Sequence, residues 1–459
     1  MLSAGAVSVL LGTSDFTIVA LALPSFTEQF DASTSAVVWI ALSYQLVVLG
    51  LTLPMGRLGD QFGHKAMFAA GAVVYSLGLM SAAVAPGILA LIFLRAVQGA
   101  GAAMMVSVSF GLVASAFPAN QRGRAFGLMG SVAGFGLMSG PALGGILLET
   151  LGWRSIFWAR APLALAGFAI AVIYLRNIQV TSDRKIDFAG AALLSGALVL
   201  MAVGLNRGSA EGWTSPLVVL MFPLSAAAAT VFALRSVRIE SPILDIRLFR
   251  DPVLSVAVVL MIVAGGAMVA VLFVMPFYLL IARGLPPATA GLVMLAHPAA
   301  VIVFSPVAGR ISDWIGARAP TAAGLGLVAV AIFLFSGLHP ATPVLLIVAI
   351  LVMSGLGDTH FQTPNQAVLM GAAPRDRVGT VSALVPTLRY IGIITGIASC
   401  EAIFTSGLGP SGLEGADAET VTSAARTAFL VIGGVAVLCA LIALFRPSVR
   451  ASAAGGSQR

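Results

Sequence analysis

Long apolar runs separated by short polar turns fill this 459-residue chain. The runs are continuous rather than alternating, and each is roughly 20–25 residues long, enough to carry a helix across a ~30 Å hydrocarbon core. They fall near residues 4–24, 37–55, 66–85, 88–117, 122–148, 156–176, 187–206, 214–234, 253–282, 288–309, 319–338, 342–370, 378–405 and 425–446. The pattern predicts fourteen spanning helices and leaves no loop able to hold a soluble domain. The first run contains Asp15 and no Lys or Arg precedes it, so it is expected to stay as a helix and not to be cleaved as a leader.

The polar turns carry a repeat. Gly56-Arg57-Leu58-Gly59-Asp60-Gln61-Phe62-Gly63-His64-Lys65 returns as Gly309-Arg310-Ile311-Ser312-Asp313-Trp314-Ile315-Gly316-Ala317-Arg318, an offset of 253. Gly140-x-x-x-Gly144 returns as Gly392-x-x-x-Gly396, an offset of 252. Duplicated membrane halves build one central site in many secondary transporters. The expected division is a six-helix bundle over 1–178, two inserted helices with a linker over 179–252, a second six-helix bundle over 253–448 and a tail over 449–459.

Composition agrees with a polytopic membrane protein. The chain is 59% hydrophobic and 9% charged, against about 45–50% and about 25% in soluble domains. The net charge of +7 is dispersed over short loops, so no nucleic-acid partner is expected. With both termini and the turn at 56–65 in the cytoplasm, eighteen of the 25 basic residues lie on the inner side and five on the outer, as positive-inside topology requires. Outer loops carry acids instead, among them Glu28, Asp31, Glu414, Asp417 and Glu419. Cys400 and Cys439 sit inside apolar runs as packing residues, with no disulfide and no metal cluster expected.

Ionisable groups inside spans are costly and point to function. Asp15, Arg95, Asp358 and Arg389 lie within runs, and Glu401 lies nearer an outer end. A carboxylate that meets a dry and then a cationic environment can bind and release a proton. Asp15 and Asp358 are therefore proton-coupling candidates, with Arg95 and Arg389 as their counter-charges. The competing readings are an Asp15–Arg95 pair that only orients helices, and an Asp358 that caps a helix break. His297, before Pro298, either lines a cavity or packs. Glycines in the repeated turn allow a tight reversal. Asp60 can cap the third helix, with Arg57 and Lys65 pairing to it. Gly136, Gly140 and Gly144 share one helix face, and Pro141 can bend that helix.

These residues resemble the major facilitator superfamily, and more narrowly its fourteen-helix drug/proton antiporter subfamily. The turn at 56–65 is similar to the cytoplasmic signature between helices 2 and 3, with Gln61 and His64 where Arg is usual. Leu91–Ala102, including Arg95, Gln98 and Gly99, resembles the helix 4 motif. Gly136–Gly145, including Gly140, Pro141, Gly144 and Gly145, resembles the antiporter motif of helix 5. Ser14–Pro24 resembles the helix 1 motif and Pro242–Arg250 the loop after the inserted pair. The resemblance implies an all-α fold of two six-helix halves around two inserted helices. It implies a proton-coupled exporter of hydrophobic or amphiphilic small molecules in a bacterial cytoplasmic membrane, of the multidrug-efflux and antibiotic-resistance kind. It is expected to be a monomer and not an enzyme, driven by the proton gradient with no cofactor. Gly56, Arg57, Asp60, Gly63, Lys65, Gly309, Arg310 and Asp313 would gate the inner mouth, and the glycine stripe would seal the cavity between the halves. Tyr44, Gln45, Gln98, Phe273, Phe277, Tyr278, Gln362 and Asn365 would line that cavity. Arg160 stands where the subfamily usually has Asn, and is expected to reach the outer surface or pair with Glu149. The alternatives are an uptake symporter for a sugar, acid or peptide, a lipid or precursor translocator, and a non-transporting sensor.

Overall fold

Hydrocarbon offers no partner to a backbone N–H or C=O, so each unbroken apolar run closes its hydrogen bonds within itself as a helix. The computed structural model describes residues 1–32, 34–175, 187–240, 242–372, 378–408 and 417–446, and among them there is no strand. The expected boundary at 178, the tail at 449–459, and the charges Arg176, Arg184, Lys185, Arg375, Arg377, Glu414, Arg450 and Arg459 lie outside the described residues.

The helices of the first half are α1 (Leu2–Phe30), α2 (Thr34–Phe62), α3 (His64–Ala83), α4 (Ile88–Ala116), α5 (Arg122–Ser139), α6 (Gly145–Leu151), α7 (Ser155–Trp158) and α8 (Ala161–Tyr174). The inserted pair is α9 (Phe188–Glu211) and α10 (Pro216–Ser236). The second half comprises α11 (Pro252–Phe277), α12 (Pro287–Met294), α13 (Ala296–Ile315), α14 (Arg318–Ser336), α15 (Val344–Gly371), α16 (Val378–Leu408) and α17 (Ala418–Phe445). Thirteen stretches among the described residues are long and apolar enough to cross a membrane. The predicted run at 122–148 is the one not among them. It is helical, but Arg122, Arg124 and five glycines dilute the apolar content of α5, and a π turn at Gly140–Gly144 separates α5 from α6. Pro141 lies in that turn and has no N–H to give, which favours a locally widened register.

The repeated charged segment is not a ten-residue turn. α2 runs on to Phe62 and α13 to Ile315, and the chain reverses at one residue each, Gly63 and Gly316, with φ of 97° and 84°. A side chain at either position would be strained. Asp60 and Asp313 therefore project from helix ends with fixed direction.

One apolar cluster joins α1–α4 with α7 and α8 around Phe26, Phe68 and Phe157. A second joins α11–α17 around Tyr278, Phe335 and Phe404. A third, including Phe126, Met129, Leu369 and Leu384, bridges the two. Of the inserted pair, α9 lies against α2 and α16, with Ser195 Oγ donating to Gly50 O, and α10 packs on α9. Asp187 starts α9 by accepting from Gly190 N at 2.8 Å and also accepts from Arg235 Nε of α10 at 2.9 Å. The outward face of α10, with Val219, Leu220, Leu224, Val231 and Leu234 exposed, is the surface of a lipid-facing helix.

Candidate functional site

Each repeated aspartate caps a helix of the opposite half. Asp60 Oδ1 accepts from Gly379 N at 2.5 Å, and Oδ2 accepts from Thr380 N at 3.0 Å and Thr380 Oγ1 at 3.1 Å. Asp313 Oδ1 accepts from Gly123 N at 2.7 Å and Oδ2 from Arg124 N at 2.8 Å. Gly379 opens α16 and Gly123 opens α5, so both carboxylates meet orphan N–H groups and the positive end of a helix dipole. The expectation that Asp60 caps the third helix is thus corrected. Lys65 does not pair with it either: its Nζ donates to Val172 O at 2.8 Å. His64 takes that place, with Nε2 3.1 Å from Asp60 Oδ1. Arg57 is buried, and Arg310 is exposed. Glycine lets the backbones touch here. A Cβ on Gly56 would lie 2.6 Å from Gly379 O, and one on Gly309 would collide with Gly123.

Two glycine faces follow along α5. Gly123, Gly127, Gly130 and Gly134 meet α13 at Gly309, Ser305 and Pro298–Ile302, where Ser131 Oγ also donates to Ile302 O at 2.6 Å. Gly136 and Gly140 instead meet Thr13 and Thr17 of α1, Gly144 meets Ile18, and Gly145 reaches Leu21 only at 4.0 Å. The predicted stripe therefore packs within the first half, and the unpredicted one forms the seam between halves. The related pair Gly392 and Gly396 packs on α11 at Ile262 and Gly266, repeating the within-half arrangement.

Asp15 is enclosed by cations. Its Oδ2 accepts from Arg95 Nη2 at 2.6 Å, and its Oδ1 from Arg95 Nη1 at 2.8 Å, Gln98 Nε2 at 3.0 Å and Arg160 Nη1. Arg95 also donates to Ile40 O at 3.0 Å and lies 4.4 Å from the centre of the Tyr44 ring. Arg160 turns inward, contrary to the expectation of an outer-surface position or a Glu149 pair, and Nε donates to Ile156 O at 2.8 Å. Two guanidiniums against one carboxylate leave the cluster with a net positive charge. The Asp15–Arg95 pairing is the one the intramembrane charges predict; Arg160, at the start of α8, is the member that the sequence does not announce.

The second ionisable group lies in a cavity of about 60 Å³ between the halves, with room for several waters. Met129 and Leu137 of α5 make an apolar wall, and His297, Asp358, Gln362 and Arg389 face it from α13, α15 and α16. Asp358 Oδ1 accepts from Gln362 Nε2 at 2.8 Å, and Oδ2 is 3.8 Å from His297 Nε2. His297 thus lines the cavity. α15 is continuous through Gly355 and Gly357, so Asp358 caps no break. Those glycines serve packing, since a Cβ on Gly355 would lie 2.6 Å from His297 O.

The other cavity candidates are dispersed. Tyr44 and Gln98 belong to the Asp15 neighbourhood, and Gln45 is half-buried on α2 away from the cavity. Phe277 packs between Phe273, edge to face, and Phe404, tilted, in the second-half core. Tyr278 donates its hydroxyl to His339 O at 2.7 Å. Asn365 donates to Ala257 O at 2.9 Å and accepts from Arg446 at 3.3 Å, an apparatus for holding helices. Only Gln362 of these borders the space around Asp358.

Residues 5–397 match the family model of the Major Facilitator Superfamily. The riboflavin transporter RibZ of Clostridioides difficile is 29% identical over 404 residues, covering 88% of this chain and 87% of its own. The multidrug resistance protein Stp of Mycobacterium tuberculosis is 30% identical over 395 residues, covering 86% of this chain and 73% of its own. The crystal structure of the human organic anion transporter MFSD10 aligns with a TM-score of 0.69 at 16% identity, covering 96% of this chain and 98% of that one.

Proposed function

Because the chain belongs to the major facilitator superfamily, and so is a multi-pass membrane transporter, we propose that it is a proton-coupled exporter of hydrophobic or amphiphilic small molecules. It works by alternating access in a bacterial cytoplasmic membrane. The observation that carries this reading is the cavity between the halves, with one apolar wall and one ionisable wall. Such a space suits an amphiphile and holds a carboxylate that can exchange a proton. The paired aspartate caps support rocking about the cavity, because they join the halves at one end through bonds that can be broken together. That end is the cytoplasmic one, so this conformation is closed to the cytoplasm. One proton moving through 100 mV supplies about 2.3 kcal/mol. Asp15 and Asp358 are the candidate coupling acids. The likeness to Stp supports drug export. The likeness to RibZ favours riboflavin as a second candidate substrate.

Inside-out vesicles energised with a proton gradient test the reading. A panel of cationic, neutral and anionic amphiphiles together with riboflavin is added while a pH-sensitive dye reports proton flow. Substrate-dependent dequenching, lost in Asp15→Asn or Asp358→Asn, is the expected result. No response to any compound, with both variants behaving as wild type, overturns it.

A further inference from the structure

The hydrogen-bond geometry around His297 points to one tautomer of its ring. Ser354 Oγ donates its single hydrogen to Leu351 O at 2.8 Å. At 2.9 Å from His297 Nδ1, the same oxygen is then placed to accept, which assigns the donor role to Nδ1. A neutral His297 then presents the Nε2 lone pair to Asp358 Oδ2 at 3.8 Å. The other carboxylate oxygen is already satisfied by Gln362. Two acceptors thus face each other across a gap that one proton would close.

We infer that His297 Nε2 and Asp358 Oδ2 form a single-proton site, and that this pair, not Asp15, carries the coupled proton. The inference rests on the proton-coupled reading above and assigns its site. The contrast with Asp15 is geometric. Asp15 is held by two guanidiniums and an amide, and a proton would have to displace charge-assisted bonds to reach it. Asp358 has one neutral donor and borders the cavity. The surroundings of the pair are simple. Arg389 faces the same cavity from α16. The cavity residues from α1, α4 and α5 are Val9, Phe110, Met129, Gly130, Ala133, Gly134 and Leu137, none of them titratable. His360, on α15, is occupied with Leu356 O at 2.8 Å. A proton shared by His297 and Asp358 changes the cavity from neutral to positive, with Arg389 as the fixed charge that helps to expel it when access switches.

The chain has four histidines, so nitrogen NMR of histidine-labelled full-length protein in nanodiscs resolves them, with His297→Gln as the assignment. The expected result is a neutral His297 protonated at Nδ1 and bare at Nε2. Its pH-dependent transition should change in Asp358→Asn, because the anion that faces Nε2 is gone. Asp358→Glu, which keeps the charge, should retain a coupled transition and guards against misfolding of the Asn variant. A neutral ring protonated at Nε2, or a transition indifferent to Asp358→Asn, overturns the site. Vesicle transport separates the two claims. Substrate-driven proton flow that survives both His297→Gln and Asp358→Asn overturns this site while the exporter reading stands. Loss of flow in both variants, each inserted and folded, is the expected outcome.

Discussion

The Asp60 carboxylate accepts the backbone N–H of Gly379 at 2.5 Å, so the end of α2 in the first half is held by the start of α16 in the second. Thr380 adds two more donors, and Asp313 repeats the arrangement on α5 with two. Bonds of this charge-assisted kind are worth roughly 1.5–3 kcal/mol each. Asp60→Asn keeps the shape and removes the charge. The expected outcome is a more populated open state at this end, read by introducing Cys at Ser382, which is fully buried in the seam and receives the Gly111 N–H at 2.8 Å. A water-soluble maleimide should label Ser382→Cys roughly tenfold faster in the Asp60→Asn background, since about 1.4 kcal/mol is a factor of ten. Equal rates would mean that the caps do not hold the halves together.

The two glycine faces of α5 predict different failures. A Cβ on Gly127 would collide with Ser305 backbone across the seam, whereas one on Gly140 would collide with Thr17 of α1 inside the first half. At Gly127 the obstacle is backbone, and at Gly140 it is Thr17 Oγ1 and Cβ with the Thr17 backbone behind them, so neither yields as the end of a flexible side chain would. Gly127→Val should therefore leave the protein folded while raising the same maleimide labelling. Gly140→Val should lower thermal stability with a smaller effect on labelling. Similar behaviour of the two variants would contradict the division of the faces.

Much of this fold could be read from the runs and the repeat, because spanning length, glycine placement and duplicated turns are local properties. The partners of Asp60 could not. A caps-the-next-helix expectation is local, but the groups that bind it, Gly379 and Thr380, come from a helix more than 300 residues away. Arg160 shows the same limit: its nearest acid in sequence is Glu149, and its partner in space is Asp15. The seam glycines at 123, 127, 130 and 134 had a helical spacing that was open to view. The family resemblance rests on the Gly136–Gly144 stripe beside them, and nothing local marks which of the two faces meets the opposite half. Asp358 was readable as an intramembrane acid, but the role of His297 depended on Ser354 and on the close approach that Gly355 permits.

Asp15 balances two buried guanidiniums, and removing it should cost more than removing either of them. Breaking a buried charge cluster by deleting one partner costs about 3–5 kcal/mol. Asp15→Asn leaves Arg95 and Arg160 together with no anion, since the Asp15 carboxylate is the only acid among the described residues that pairs with either. The expected outcome is a marked loss of thermal stability in detergent. Adding Arg160→Gln should recover part of it, because the remaining Arg95 still donates to Ile40 O and Gln98 Oε1. A double variant less stable than Asp15→Asn alone would show that Arg160 contributes through packing and not through charge.

A void of about 20 Å³ lies beside this cluster, bordered by Ser8, Tyr44 and Tyr75. Ser8 Oγ and Tyr44 Oη are buried there without a protein partner among the described residues. The Tyr75 hydroxyl makes a long 3.5 Å contact with Leu11 O and also interacts with the Gln98 side chain. The space exceeds the ~10–15 Å³ that one water needs, and three hydroxyls can satisfy it. A bridging water is therefore expected in a high-resolution map. The sign of a mutation gives an independent check. If water fills the void, Tyr44→Phe removes one of its partners and destabilises by roughly 0.5–1.5 kcal/mol. If the void is dry, the same change removes an unsatisfied buried hydroxyl and stabilises the protein. Thermal unfolding of Tyr44→Phe and Ser8→Ala distinguishes the two, and stabilisation by both would exclude the water.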